Sequence, residues 1–256
     1  MLKHYGEPPI FLLKENFYAG KHPCFYNPET FPWVKEVEQQ WEVIREEIME
    51  YLRAGKNIEG LSSYTPPDLS QPTAWKNLYF MNFLWIQYKN CRKFPKTWNI
   101  LRKIPGVTFA AIGILEPHSR ILPHYGDTNI NLRCHMGIQI PANYPVCGIQ
   151  VGSEARGWEE GKVLMFSDCH RHTTWNDSDE RRIIVGFDVI KEGYETQRTW
   201  LCAQFLGAQT LRFIDSYIPF LEKTPLSVLK PLHKLFSALW FVYLPIQARV
   251  TNFLLA

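Results

Sequence analysis

The chain has 256 residues, of which 46% are hydrophobic, 14% aromatic and 21% charged, a globular composition with enough apolar content for a sizeable core. Its formal charge is +3 and it holds no Lys/Arg block of five or more, which argues against a nucleic-acid partner. Six cysteines, Cys24, Cys91, Cys134, Cys147, Cys169 and Cys202, are scattered without a C-x-x-C pair, so neither a disulfide framework nor a zinc knuckle is expected.

The N-terminal stretch "MLKHYGEPPIFLLKENF" lacks the apolar core of a signal peptide. The expectation is a reducing, cytoplasmic protein, with room for peripheral contact at the cytoplasmic membrane face. Residues 1–30 read as an ordered arm rich in Pro, Gly and aromatics. In "FPWVKEVEQQWEVIREEIMEYLRAG", Val34, Val37, Trp41, Ile44, Ile48 and Tyr51 recur at helical spacing. With Pro32 in the first turn and Gly55 at the stop, they predict one amphipathic helix. Residues 56–74 read as a loop, "AWKNLYFMN" as a strand, and "FPKTWNILRKIPG" as a second short helix.

Between 107 and 190 the texture changes to short apolar runs: "VTFAAIGIL", "NLRCHMGIQIP", "VCGIQVG", "KVLMF" and "RRIIVGFDVI". Turn residues separate them, which predicts a mainly β fold, a jelly roll of the double-stranded β-helix, cupin-like kind, with helices outside one sheet. From about 195 the pattern is helical and apolar again. The expected organisation is a β domain with N-terminal helical support over 1–194 and a helical C-terminal extension over 195–256.

Two strands carry chemistry. In "LRCHMGIQI" Leu132, Cys134, Met136, Ile138 and Ile140 share one face, and Arg133, His135, Gly137 and Gln139 the other. A glycine between polar groups leaves room for something to approach. In the final strand Arg182, Ile184, Gly186 and Asp188 oppose the apolar face of Ile183, Val185, Phe187 and Val189. Two arginines on such faces suit a dicarboxylate, which guanidinium binds through paired hydrogen bonds; a surface ion pair of Arg182 with Asp188 or Glu180 is the competing reading. His124 ends an early stretch, and His170 and His172 follow about 45 to 50 residues later, just before the Arg182 strand. That order fits non-haem iron in a jelly roll, where the usual ligand set is two histidines and a carboxylate.

The segments "PHYGDTNINLRCHMGIQIP" and "GWEEGKVLMFSDCHRHTTWNDSDERRIIVGFDV" together resemble the aspartyl/asparaginyl β-hydroxylase family. The resemblance is dense over 107–190 and looser back to about residue 28. It implies a double-stranded β-helix oxygenase using Fe(II), 2-oxoglutarate and O2, which couples decarboxylation of the co-substrate to hydroxylation of an unactivated carbon. It further implies that His124 and His172 ligate the metal, and that Arg133, His135 and Arg182 hold 2-oxoglutarate, with Arg182 on its far carboxylate. Trp75 matches a tryptophan lining the co-substrate pocket. Gly113 stands where some members have a serine, and Gly126 where many oxygenases have the metal carboxylate. Asp127, one place later, is expected off the metal, and in reach of a metal-bound water at most.

The resemblance spans several substrates. An aspartyl/asparaginyl-type residue or amino acid is the first reading and a lipid acyl chain the second; a catalytically inactive binding module is the third. The tail run "LFSALWFVYLPI" is too short to span a bilayer. With Lys230, His233, Lys234 and Arg249 around it, the region 211–256 fits an interfacial segment. It equally fits an apolar helix that packs on the core or forms a homodimer.

Overall fold

The computed structural model describes residues 7–11, 18–56, 58 and 74–255; most of the 56–74 loop expected from the sequence lies outside them. The helical start is two helices rather than one, α1 (Pro32–Glu38) and α2 (Trp41–Arg53). Two tertiary ties break the run. The Glu38 carboxylate accepts the Val163 N–H at 3.0 Å, and the Trp41 indole donates to the Gly137 carbonyl at 2.8 Å. Hydrogen bonds to a neighbouring sheet thereby outweigh local helical periodicity.

A short strand β1 (Phe25–Tyr26) precedes these helices, and β2 (Trp75–Asn82) and β3 (Trp85–Ile86) follow them. Next come α3 (Tyr88–Lys93), not expected from the sequence, and α4 (Pro95–Leu101). Then run β4 (Val107–Leu115), β5 (Ser119–His124), β6 (Asn131–Gln139), β7 (Cys147–Val151), β8 (Glu154–Arg156), β9 (Val163–Phe166), β10 (His172–Asn176) and β11 (Arg182–Ile190). All six strand segments read from the sequence, "AWKNLYFMN" and the five runs of 107–190, are present. β5 and β10 were not among them, because their short, polar or proline-containing text resembles loop.

The strands form two antiparallel sheets, as a jelly roll requires. The larger has the order β1-β9-β6-β11-β4-β2-β3, and the smaller β5-β10-β7-β8. One core lies outside the larger sheet. There Leu132, Cys134, Met136 and Ile138 of β6 and Ile183, Val185 and Phe187 of β11 pack with Ile44, Ile48, Leu101 and Trp98 of the helices. A second core lies between the sheets and includes Ile149, Val151, Trp158, Phe166 and Ile184. β11 is central and every one of its residues is buried, so the face that carries Arg182 and Asp188 looks into protein rather than solvent.

Helices α5 (Arg198–Tyr217) and α6 (Leu226–Leu255) pack against each other, and α6 also packs on β3 and α3. The Gln247 side chain bonds the Ile86 backbone at 2.8 Å, tying α6 to the sheet edge. Among the described residues no helix is long and apolar enough to cross a membrane. Ile44 is fully buried between α2 and the larger sheet. The expected outcome of Ile44→Ala is a loss of about 2–5 kcal/mol in urea unfolding with an unchanged m-value, since a buried cavity is left and the exposed surface on unfolding hardly changes.

Candidate metal and co-substrate site

The site is built from the facing sides of the two sheets. In the smaller sheet His172 of β10 lies directly opposite His124 of β5, and their ring centroids are 4.2 Å apart. Each imidazole is aimed by its own backbone. Nδ1 of His124 donates to the Leu122 carbonyl at 2.8 Å, and Nδ1 of His172 donates to the His170 carbonyl at 2.9 Å. A carbonyl can only accept, so both rings are fixed as the tautomer whose Nε2 carries the lone pair, the form a metal takes. Burial pushes both pKa values down, that of His172 well below the ordinary histidine range, which keeps both rings neutral. His170 is turned elsewhere, with Nε2 on the His22 carbonyl at 2.6 Å.

No third metal-type ligand joins this pair as a cluster among the described residues. Asp127 is committed to Arg212 of α5. The carboxylate nearest the turn is Asp168, which the sequence reading passed over. Gly126 donates its N–H to the Asp168 carbonyl at 2.8 Å, and a Cβ at Gly126 would lie 2.8 Å from Asp168 Cγ and Oδ2. The missing side chain at 126 is therefore the space in which the Asp168 carboxyl sits. Burial pushes the Asp168 pKa up to about 6, against the pull of Arg133. A sequence signal existed: Asp168 follows Phe166 by two residues in the stretch that carries the family resemblance.

The larger sheet contributes the two arginines, and they differ. Arg133 was expected to hold a dicarboxylate. The structure gives it protein carboxylates instead. It donates from Nε and Nη2 to Asp188 at 2.7 Å each, and Nη2 is 3.2 Å from Asp168. Burial opposes its charge, but Asp168 and Asp188 outweigh that and raise its pKa above the usual arginine value. The same contact rules out a surface pair of Arg182 with Asp188.

Arg182 has no such support. It is 2% exposed, and its Nε and Nη1 find no hydrogen-bond partner among the described residues. Its contact is the Trp158 ring, 4.8 Å from the guanidinium carbon, a cation–π arrangement. Burial lowers its pKa to about 10.

His135 lies between the two ends. Its ring is stacked 6.1 Å from Trp158 and edge-on to Phe166 at 4.9 Å, and Phe166 is 6.0 Å from His172. Burial and then the two arginines hold His135 neutral, and its Nδ1 is buried without a partner. Trp158 Nε1 and the Thr174 hydroxyl are buried and unpartnered as well. Gly186, opposite His135 in the register, keeps the floor between them open. Trp75 shares a cross-strand row with Leu115 and Arg182, half-buried at the edge of the same face. Gly113 lies against Asn77 and Ile184, where a Cβ would come within 3.3 Å and 3.4 Å. Trp158 and Thr174 join Asp168 as the residues that sequence reasoning missed.

Buried polar groups without protein partners are rare, and four in one inter-sheet space mark a ligand site. The fold and this geometry define a jelly-roll protein with a backbone-aimed histidine pair at one end of the space and a bare, buried arginine in its floor. The match of residues 38–192 places it further: the chain belongs to the Aspartyl/Asparaginyl beta-hydroxylase family.

The chain is 31% identical over 172 residues to an ornithine lipid ester-linked acyl 2-hydroxylase of Rhizobium tropici, covering 66% of this chain and 61% of that protein. It is 34% identical over 167 residues to the human aspartyl/asparaginyl beta-hydroxylase, covering 61% and 21% respectively. With aspartate beta-hydroxylase domain-containing protein 2 of Xenopus tropicalis it shares 32% over 185 residues, 62% and 48% of the two chains. The chain thus spans less than two thirds of the length of these relatives. Among solved structures, a viral collagen prolyl hydroxylase from Paramecium bursaria chlorella virus-1 aligns over 57% of this chain and 90% of its own, with 11% identity and a TM-score of 0.35.

Asp188 is 1% exposed on its side chain and neutralises Arg133. Asp188→Ala is expected to lower stability by about 1.5–3 kcal/mol in chemical denaturation, because Arg133 loses two charge-assisted hydrogen bonds and keeps only Asp168 at 3.2 Å. The variant should also lose the fixed position of Asp168, readable as altered exchange of the Gly126 amide.

Proposed function

We propose that this chain is an Fe(II)- and 2-oxoglutarate-dependent hydroxylase. The observation that carries the reading is Arg182, a buried guanidinium with no carboxylate partner among the described residues. An uncompensated buried charge costs several kcal/mol, so a site that keeps one is suited to an anion that arrives later. The carboxylate of 2-oxoglutarate supplies two acceptors in the plane that guanidinium offers. The Trp158 ring lies 4.8 Å from the guanidinium carbon, and His135, neutral, contributes a hydrogen bond without adding charge. Trp75 bounds the row at its edge.

His124 and His172 fit iron, since both are neutral, tautomerically fixed and adjacent. Bound there, Fe(II) supplies activation of O2 coupled to oxidative decarboxylation of 2-oxoglutarate and hydroxylation of a substrate carbon. The protein's part is to orient and to exclude water. Phe166, Ile149 and Val151 keep the inter-sheet space apolar. Asp168, held by Arg133, brings negative charge beside Gly126 from a neighbouring loop rather than from the turn itself.

For the substrate we favour the acyl chain of a membrane lipid. A long exposed apolar surface on α6 supports it, as does the relative named an ornithine lipid acyl 2-hydroxylase. The second reading is an aspartyl/asparaginyl-type residue, supported by the similarity to the human beta-hydroxylase.

Purified protein with Fe(II), ascorbate and 2-oxoglutarate is expected to release succinate, and His172→Ala to abolish the release. A wild-type protein that gives no succinate above the variant, across lipid extracts and Asp/Asn peptides, overturns the reading. Gain of one oxygen on a lipid or on a peptide, read by mass spectrometry, separates the two substrates. Arg182→Met should raise the KM for 2-oxoglutarate about a hundredfold, the loss of two charge-assisted hydrogen bonds worth roughly 3 kcal/mol together. The same variant without co-substrate should melt no lower than wild type, since it removes an unpaired buried charge.

A further inference from the structure

α6 is apolar on two sides. Leu229, Ser237, Leu244 and Thr251 are buried against the protein. Leu235, Leu239, Val242, Ile246, Val250 and Phe253 recur at spacings of three or four on the other side, and all are exposed, from 55% up to 83% at Phe253. At about 1.5 Å per residue the stripe from Leu235 to Phe253 runs over roughly 27 Å of the helix. A contiguous apolar stripe of that length is far beyond the scattered exposure normal for a monomer's surface. Phe213, Tyr217 and Ile218, at and just past the end of α5, are exposed apolar residues too.

The charge around the stripe is one-sided. From Lys223 to the last residue there is no Asp or Glu, whereas Lys223, Lys230, Lys234 and Arg249 are present. Lys230 and Lys234 lie on one flank of α6, and the same flank continues through Pro245, Ala248 and Asn252. Those three residues border a cleft of about 470 Å³ whose charged lining is Arg102, Lys103 and Arg198, with no carboxylate. The Arg198 Nε is buried without a hydrogen-bond partner. A face made for a second copy of this chain would bring these cations together with no anions to offset them. An anionic lipid surface complements both the stripe and its flank.

We propose that α6 docks the protein flat on an anionic bilayer, its outward stripe in the headgroup–acyl boundary and its cationic flank on the lipid phosphates. The hairpin is also fastened to the site: Arg212 of α5 pairs with Asp127, three residues beyond His124. Docking through α6 therefore holds the mouth of the inter-sheet site at a fixed relation to the membrane. The proposal deepens the hydroxylase reading and rests on it for the purpose of docking. Vesicle binding itself needs neither iron nor 2-oxoglutarate, so failure of one reading is distinguishable from failure of the other.

The test is flotation of the full chain with phosphatidylglycerol/phosphatidylcholine vesicles and with phosphatidylcholine alone. The wild type should float with the anionic vesicles, less so as salt rises. Val242→Asp/Ile246→Asp, at solvent-facing positions, should remain unbound with an unchanged far-UV spectrum. Lys230→Ala/Lys234→Ala should weaken binding to anionic vesicles by roughly fivefold per charge removed, at about 1 kcal/mol each, and leave binding to phosphatidylcholine unchanged. Wild type that stays unbound on anionic vesicles overturns the proposal, as does a double-Asp variant that floats like wild type. A wild-type dimer in sedimentation velocity that the double-Asp variant breaks, with no flotation of either, assigns the stripe to self-association and overturns it too.

Discussion

One guanidinium organises the site. Arg133 reaches from β6 to Asp188 on the adjacent β11 and, with the same Nη2, to Asp168 beyond the end of β9. The contact joins two strands of the larger sheet to the loop that leads into β10. Asp168 in turn receives the Gly126 N–H on its backbone carbonyl and fills the space beside that glycine. The turn after His124 and the segment before His172 are thereby fixed to one another, and the two imidazoles meet across β5 and β10. A buried ion pair contributes little net stability compared with apolar packing of the same volume, but it is severe when broken. That asymmetry gives the site a single arrangement.

The second arginine shows the opposite use of the same chemistry. Arg133 and Arg182 both lie on the inner face of the larger sheet, Arg133 partly buried and Arg182 fully, and one is saturated while the other is bare. The two states divide the labour. Arg133 fixes the protein's own carboxylates, and Arg182 leaves a positive charge beside Trp158 whose Nε and Nη1 have no hydrogen-bond partner among the described residues. Neutral His135 sits between them because burial and the two cations suppress its protonation. A third cation there would have added to the cost of burying like charges together.

The helical hairpin couples this interior to the outside. Arg212 from α5 takes Asp127, the carboxylate one place past Gly126, and so removes it from the histidine pair. The turn that the sequence presents as a displaced metal motif is thus divided between two tasks: His124 faces the partner histidine, and Asp127 anchors the C-terminal helices. α6 then carries on its far side an apolar stripe, in a stretch of chain that holds Lys230, Lys234 and Arg249 but no Asp or Glu.

Much of this was legible in the text of the chain, for local reasons. Side-chain alternation along a strand is fixed by the backbone, so Arg133 and His135 on one side of β6, and Arg182 and Gly186 on one side of β11, could be assigned from parity alone. The jelly-roll class followed from the turn-separated apolar runs, and the choice of His124 and His172 from the family resemblance. Tertiary structure alone decided which groups meet. That Arg133 is neutralised and Arg182 is not depends on carboxylates brought from other strands. That Asp168 occupies the space left by Gly126 depends on a loop distant in sequence, and the break between α1 and α2 depends on bonds to Gly137 and Val163. α6 is apolar on both sides, so sequence could not say which side would be covered. Periodicity along a chain is local, whereas charge compensation and burial belong to neighbours that only folding assembles.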